Sequence, residues 1–500
     1  MRVLPLVFLA TLFAACSTAQ PAPLALPPAE FPGIALITEP ELRADLFALA
    51  GDHFGGREAG TLDEIRASTW LADRARVIGL RTAAPDSTYF QWFPLRRIRP
   101  GTTSTIAVAG DTLRIWQDAV IMSATQATAS GPVVWIEDAD AAVAAEKDVA
   151  GRIVAVAARS SEPVPTPDTL AARYFITRTV NAAARPWLER GAAAVFVVAD
   201  AALETLFDFA ATNQMRGSFT RELGQPLNVP SRAPTLLVRS RYAAPLQAAA
   251  RAIVDVHADH FTVPSVNIIG VVPGTDPALR NEYVLFSAHQ DHDGVRAPVN
   301  GDSIFNGADD NASTSVALLA IARAWVRHPA RRSALFVWHG AEDKGLNGSL
   351  WHAQFPVVPL QSIVAVLNGD MIGRNHPDSA ALLGVIPPHR NSTPLVQMAL
   401  DANRSVAGFA IDSSWDRASH PEGWYFRSDH LPYAQERVPA LFFTTLLHRD
   451  YHTPGDNPDR IDVAKLARMT RWLYATGWLA ANAQQRPTID PGFQLERERR

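Results

Sequence analysis

Histidine and acidic residues gather in five short segments in the second half of the chain. These segments are 287–292, 306–311, 339–349, 368–373 and 450–456. They follow the ends of apolar runs that are typical of strands, which is where α/β sheets form their ligand-binding crevice. Two imidazoles and three or four carboxylates drawn from these segments would make up a ligand set. This is the ligand set expected for a pair of zinc ions.

Two of these segments, each taken alone, could have a structural role instead of binding metal. In 287–292, Asp291 could accept the second ring N–H of His289, which fixes the tautomer and frees the other nitrogen for a metal. A plain loop could carry the same residues. In 306–311, Asp309, Asp310 and Asn311 lead into an expected helix, and they could equally serve as helix caps.

The third segment places two acids side by side. Glu342 and Asp343 follow an apolar run, and adjacent carboxylates there repel each other unless a divalent cation compensates their charge. One of them can bind metal while the other takes a proton from a water at the metal. A solvated acidic turn is the alternative.

Elements of alternating type must position these segments. The apolar runs 283–286, 334–338, 363–367 and 440–443 predict buried strands, and 313–325 predicts a connecting helix. Strands that are apolar throughout and are separated by helices favour an α/β fold with a mixed, largely parallel sheet covered by helices on both faces.

The first half of the chain shows different sequence patterns. Residues 39–83 show the spacing of two amphipathic helices around a loop at 54–60. Short β-like runs interrupted by proline, glycine and aspartate then fill residues 101–263, with almost no clustered ligand-type residues. We interpret 101–263 as an inserted, mostly β accessory domain.

In the order and spacing of these motifs, residues 283–461 resemble the catalytic domain of the co-catalytic di-zinc aminopeptidases, peptidase family M28. The helices before the insert, with their Gly-Arg-Glu-Ala-Gly loop and the run 89–91, are similar to the N-terminal portion of that family. The insert resembles the protease-associated domain, and 191–196 is its recognisable piece. The resemblance implies a zinc exopeptidase fold and a zinc-dependent hydrolase of peptides.

The resemblance also implies a role for each metal ligand. Two zinc ions would share Asp310, which directly precedes Asn311 as the bridging acid of the family precedes its asparagine-type residue. One ion would be completed by His289 and Asp370, and the other by Asp343 and His452.

Further roles follow from the same resemblance. Glu342 would be the general base, and Asp291 would orient His289. Tyr451, which precedes His452, is a candidate for stabilising the oxyanion, with simple packing as the alternative. The segment 428–430 would be structural or would support the ligands. The chain departs from the family at Asp343, where a glutamate is usual, so that this ligand arm is one methylene shorter.

The N-terminus indicates export. Met1 and Arg2 precede an apolar run at 3–15 that ends in small residues before Cys16, the only cysteine of the chain. Cys16 resembles the lipidation site of bacterial lipoproteins, although Phe13 stands where that pattern usually has leucine. We expect a protein of the periplasm or cell envelope that is anchored to a membrane through Cys16, with an ordinary cleaved signal that ends nearby as the alternative. One cysteine also excludes disulfides, thiolate zinc sites and a cysteine nucleophile in the mature protein.

These observations divide the chain into six parts. They are an export signal at 1–16, a flexible tether at 17–33, the N-terminal part of the peptidase domain at 34–100, the insert at 101–263, the catalytic domain at 264–485 and a polar tail at 486–500.

Composition limits the function. With 46 basic and 50 acidic residues, the chain lacks the single-sign charge that binding to nucleic acid requires. We expect an aminopeptidase acting on peptides. A carboxypeptidase or dipeptidase of the same family, a glutaminyl cyclase-like acyltransferase and a non-catalytic binding module are the alternatives. Oligomeric state does not follow from the sequence.

Overall fold

The four apolar runs form neighbouring strands of one ten-stranded sheet. In a computed structural model, Tyr283–His289 lies between Ser333–His339 and Ile363–Gly369 and is parallel to both, and Ile363–Gly369 is parallel to Ala440–Thr444. The mixed, largely parallel centre that the sequence predicts is therefore confirmed.

The other strands of this central sheet run on both sides of the parallel centre. They are Arg81–Thr82, Phe90–Pro100, Ser218–Arg221 and Ala258–Val272 on one side, and Ser379–Leu383 and Ala410–Asp412 on the other. Ala258–Val272 pairs antiparallel with Ser333–His339, and Ser379–Leu383 pairs antiparallel with Ala440–Thr444. A two-stranded hairpin, Gly294–Val299 with Asp302–Phe305, stands apart from the sheet.

Helices cover both faces of the central sheet, because successive strand side chains point to opposite sides. Phe286 packs into the larger hydrophobic cluster, and Leu285 packs into a second cluster with Tyr433. The helices of the larger cluster are Glu39–Leu49, Leu62–Ile78, Thr314–Arg327, Thr393–Ala402 and Val463–Asn482. Asn347–Gln354 and His430–Gln435 lie on the other face. The α/β fold class is confirmed.

The chain between the two long strands builds two further sheets. One has the order Ala119–Ile121, Thr235–Val238, Ala194–Val198, Ile153–Ala157, Val133–Ile136, and the other has the order Asp111–Thr112, Thr105–Val108, Ala252–Val256, Ala127–Gly131. The helices of this region are Leu170–Glu189, Ala201–Thr205, Phe207–Arg216 and Ala243–Ala248. The sequence predicts an insert at 101–263, but residues 258–263 belong to the strand Ala258–Val272, so from here on the insert is the region from 101 to 257. We call Leu170–Glu189 the insert helix.

The insert has its own apolar interior. Alternate residues of Ala194–Val198 face two clusters: Val195 and Val197 pack against the helices, while Phe196 packs between the two sheets. The insert joins the central sheet through Phe90–Pro100 and Ala258–Val272, which pair antiparallel from Phe90 with Ile268 to Pro100 with Ala258. The domain boundaries and the resemblance to a protease-associated domain stay predictions.

The structure describes residues 31–84, 86–137, 148–161, 163–165, 170–224, 231–248, 251–299 and 301–496. The export signal and Cys16 lie outside the described residues, so export and lipid anchoring stay predictions. Within the described ranges, every helix is too short or too polar to cross a membrane.

Candidate metal centre

The ends of three parallel strands bring the ligand candidates together. His289 ends its strand, Asp370 directly follows Ile363–Gly369, and Glu342 and Asp343 lie in the loop after Ser333–His339. Asp310 lies in a turn of π-helix, Ala308–Ser313, that leads into Thr314–Arg327. The carboxyl ends of parallel strands meet at one edge of a sheet, and this edge is where the candidates converge.

One group of ligand atoms surrounds His289. Its Nε2 lies 3.1 Å from Asp310 Oδ1, 3.5 Å from Asp370 Oδ1 and 3.9 Å from Glu342 Oε2. All four side chains are buried. His289, Asp310 and Asp370 are the three residues that the sequence assigns to one ion.

A second group surrounds His452. Its Nε2 lies 3.1 Å from Asp310 Oδ2 and 3.2 Å from Asp343 Oδ1. Asp310 therefore presents one carboxylate oxygen to each group, as a bridging ligand must. The shorter arm of Asp343 still reaches the group, so the departure from the usual glutamate does not remove this ligand.

The spacing of these atoms fits metal ions. A tetrahedral zinc ion holds nitrogen and oxygen ligands at about 2.0 Å, which places the ligand atoms roughly 3.3 Å from one another. Among the side chains that the structure describes, four buried atoms of these groups lack a partner in hydrogen-bonding geometry: His289 Nε2, Asp310 Oδ2, Asp370 Oδ1 and His452 Nε2. Buried polar atoms are nearly always paired, so these four fit residues that hold metal.

The electrostatics of the cluster also favour cations. Burial and the carboxylates of Asp370 and Asp343 raise the pKa of Glu342 well above its usual range, against the opposing effect of His289. Burial alone would raise the pKa of Asp343 too, but His452 and His292 outweigh it and hold that pKa well below its usual range. Added positive charge at this place would stabilise the ionised form of Glu342.

Comparison with known proteins supports this geometry. The family model of peptidase family M28 matches residues 267–476, which include every ligand candidate. Residues 267–476 belong to peptidase family M28.

Relatives and solved structures extend the likeness beyond the M28 region. A probable leucine aminopeptidase of Trichophyton verrucosum is 29% identical over 229 residues, which are 43% of this chain and 58% of that relative. The chain thus spans little more than half of the curated relative. The aminopeptidase of Aneurinibacillus sp. strain AM-1 aligns at 18% identity with a TM-score of 0.56, covering 92% of this chain and 97% of its own. The zinc aminopeptidase BSAP of Bacillus subtilis aligns at 17% identity with a TM-score of 0.56, covering 93% and 100%. These two structures share the fold.

Each histidine of the M28 centre has a partner on its second ring nitrogen. His289 Nδ1 lies 3.1 Å from the carbonyl oxygen of Asp291 and 3.9 Å from its carboxylate, and that carboxylate accepts a hydrogen bond from Glu342 N. His452 Nδ1 lies 2.8 Å from Asp293 Oδ2. Sequence reasoning missed Asp293, although it lies in the same acidic run as Asp291.

His292 is a second residue that sequence reasoning missed. It is fully buried, and its Nδ1 lies 2.9 Å from Asp343 Oδ2 and 3.7 Å from Asp310 Oδ2. Its position fits both a partner that orients Asp343 and a further ligand of the His452 group. The only available signal was a third ligand-type residue in 287–292.

Tyr451 lies beside the His452 group. Its ring is 4.0 Å from that of His452 and 6.1 Å from that of Trp424, and the guanidinium of Arg427 lies nearby. Packing and a role at the oxyanion are both consistent with this position, so the role stays a prediction. In the segment 428–430, Ser428 Oγ donates to Asp370 Oδ2 at 2.7 Å, which is the supporting contact that the sequence predicts.

Arg57 fastens the ligand loops to the N-terminal portion. Its buried guanidinium donates to four carbonyl oxygens at 2.6–3.1 Å, those of Leu49, Gln290, Asn306 and Gly307. One guanidinium thereby holds the segments of His289 and Asp310 together. Its loop was recognised from the sequence, but this role was not.

Proposed function

We propose that this protein is an exported zinc-dependent aminopeptidase that hydrolyses the N-terminal peptide bond of its substrates. The observation that carries the proposal is the placement of Asp310, whose two oxygens lie 3.1 Å from His289 Nε2 and 3.1 Å from His452 Nε2. This placement supports two zinc ions, and membership of residues 267–476 in the M28 family supports peptide hydrolysis.

Five residues would hold the ions. They are Asp310 as the shared ligand, His289 and Asp370 on one side, and Asp343 and His452 on the other. When bound, zinc acidifies water and polarises a carbonyl group. Asp291, Asp293 and Ser428 would keep the ligands in place through the contacts described above.

Glu342 would move the proton. Its Oε2 lies 3.9 Å from His289 Nε2, close to the ligands but outside the five, so it can take a proton from the attacking water and return it to the leaving amine. Its backbone N–H donates to Asp291 at 2.9 Å, which ties the base to the residue beside His289. Tyr451 would donate a hydrogen bond from its hydroxyl to the oxyanion.

The aminopeptidase assignment draws on the relatives. The probable leucine aminopeptidase of Trichophyton verrucosum is named for that activity, and BSAP is described as a zinc aminopeptidase. Export and anchoring through Cys16 are proposed from the N-terminal sequence alone.

One experiment tests the activity. Zinc content per chain would be measured alongside hydrolysis of leucyl, alanyl and arginyl anilides and of matched N-blocked peptides. We expect two zinc ions and cleavage of substrates with a free amine only. Cleavage of N-blocked peptides from the carboxyl end would move the protein to the carboxypeptidases, and zinc-loaded protein without any turnover would refute the proposal.

A further inference from the structure

The turn that carries Asp310 begins with backbone N–H groups that its own helix cannot satisfy. The turn Ala308–Ser313 leads into Thr314–Arg327, and the first N–H groups of a helix have no acceptor in a preceding turn. The residue before this turn is Gly307, which has no side chain that could cap it. The turn is buried, so its N–H groups need acceptors from another part of the chain.

Asp456 supplies these acceptors, although it lies 146 residues after Asp310. Its carbonyl oxygen accepts a hydrogen bond from Ala308 N at 2.9 Å. Its carboxylate accepts hydrogen bonds from Asp309 N and Asp310 N at 3.0 Å, and Oδ2 takes part in both. Three consecutive N–H groups therefore bind one residue, whose side chain is fully buried. A carboxylate here acts as a capping side chain does, and its negative charge is favourable at the start of a helix.

Asp456 also belongs to the compact loop that carries His452. Thr453 N donates to the carbonyl oxygen of Asp450 at 3.1 Å, and Asp456 N donates to that of Thr453 at 3.2 Å. Arg374 pairs with Asp450 at one end of the loop, and its Nη1 lies 3.9 Å from Asp456 Oδ1 at the other. These contacts leave little freedom between His452 and the carboxylate of Asp456.

The two ends of this connection lie on the two sides of one ligand contact. Asp310 has one oxygen 3.1 Å from His452 Nε2 and the other 3.1 Å from His289 Nε2. Asp456 holds the backbone of Asp310 and shares a loop with His452, so it sets the distance between the bridging acid and that histidine. Asp456 lies outside both ligand groups, so it acts on the metal centre through Asp310.

We propose that Asp456 is a positioning residue that holds the carboxylate of Asp310 between the two ions. This inference rests on the proposed function, because it requires a pair of ions at Asp310. Without the carboxylate of Asp456, two buried N–H groups lose their acceptor, and the turn can satisfy them only by moving. Such a movement displaces Asp310 relative to both histidines, so both ions should bind more weakly.

The test measures the affinity for each zinc ion, by competition with a chelator, in the wild type, Asp456→Ala and Asp456→Asn. We expect Asp456→Ala to weaken both ions by about 10- to 100-fold, which is the usual effect of losing a residue that supports metal ligands. Asp456→Asn should weaken them less, because its amide oxygen can still accept from both N–H groups, as Oδ2 does.

Asp416→Ala is the matched control. Asp416 is also fully buried, and its carboxylate accepts hydrogen bonds at 2.7–2.9 Å from three backbone N–H groups, those of Gly384, Val385 and Ile386. That segment carries no ligand candidate. Urea unfolding of the metal-free proteins should show a loss of stability in both alanine variants, whereas only Asp456→Ala should lose affinity for zinc.

Three outcomes would overturn the inference alone. Equal zinc affinities in Asp456→Ala and Asp416→Ala would show that Asp456 stabilises the fold without placing a ligand. Weakening of a single ion in Asp456→Ala would show that Asp456 does not act through the shared carboxylate. If Asp456→Ala does not fold, Asp456→Asn decides, and wild-type affinity in that variant would also overturn the inference. Wild-type protein that binds no zinc would instead refute the proposed function.

Discussion

His292 holds its Nδ1 2.9 Å from Oδ2 of Asp343, the shorter of the two adjacent acidic arms. The other oxygen of Asp343 lies 3.2 Å from His452 Nε2. The imidazole and the metal group thus take different oxygens of one carboxylate, which fixes its orientation.

His292→Ala should weaken metal binding in the His452 group. Loss of a residue that supports a ligand typically reduces metal affinity by about 10- to 100-fold. Zinc release to a competing chelator would show one weakened ion and one unchanged ion. The exposed His260 provides the control variant His260→Ala, and equal weakening of both ions would contradict the role of His292.

Asp310→Asn should remove both ions, whereas His452→Ala should remove one. The reason is that Asp310 contacts both histidine groups and His452 contacts one. Zinc content after dialysis, measured by atomic emission, distinguishes these outcomes. Retention of one tightly bound ion in Asp310→Asn would show that the carboxylate does not bridge.

Glu342→Gln should abolish turnover and leave the zinc content unchanged. The amide keeps the shape of the side chain but cannot accept the proton, and general-base catalysis contributes about 10²- to 10⁴-fold. Rates on a leucyl anilide and zinc content would be measured on the same sample. A variant that retains a substantial part of the wild-type rate would assign the base elsewhere.

Arg57→Ala should destabilise the fold strongly. Removal of the guanidinium leaves the buried carbonyl oxygens of Leu49, Gln290 and Asn306 without their donor, and each such group costs about 1–3 kcal/mol. Urea unfolding of the metal-free protein measures the change in the free energy of unfolding. Arg66→Ala, at a side chain that is 63% exposed, should change it little.

Glu64 should make the stability of the metal-free protein depend on pH. Burial and the nearby Asp291 raise its pKa from 4.5 to about 8, while Ser265 donates to its carboxyl group at 2.5 Å. The folded state therefore keeps a proton that the unfolded state releases. The free energy of unfolding should fall as pH rises from 4.5 to about 8, by at most about 1.4 kcal/mol per pH unit.

Glu64→Gln should remove this contribution. As pH rises to about 8, the unfolding free energy of the wild type should therefore fall relative to that of the variant. Glu41→Gln is the control, since that side chain is 51% exposed. Parallel pH profiles for wild type and Glu64→Gln would show that Glu64 is ionised in the folded protein throughout this range.

Residue type and order were sufficient to predict the sheet centre and to place the ligand candidates at its strand ends, whereas the division of the ligands into two groups came from the resemblance to the M28 family. The runs at 283–286 and 363–367 are apolar throughout, so they had to be buried on both faces, and the ligands follow their ends. Contacts between distant segments could not be predicted in this way. Arg57 and Gln290 are 233 residues apart, and Arg216 and Glu58 are 158 apart, so no local pattern links them.

The ribbon that carries the insert has a mechanical consequence. Phe90–Pro100 and Ala258–Val272 leave the central sheet together as one continuous ladder. Both ends of the insert are attached to this ladder, so the paired strands restrict how the insert can move relative to the central sheet. The insert is also coupled to the metal centre, because Arg216 lies 3.3 Å from Asp293, whose carboxylate is 2.8 Å from His452 Nδ1.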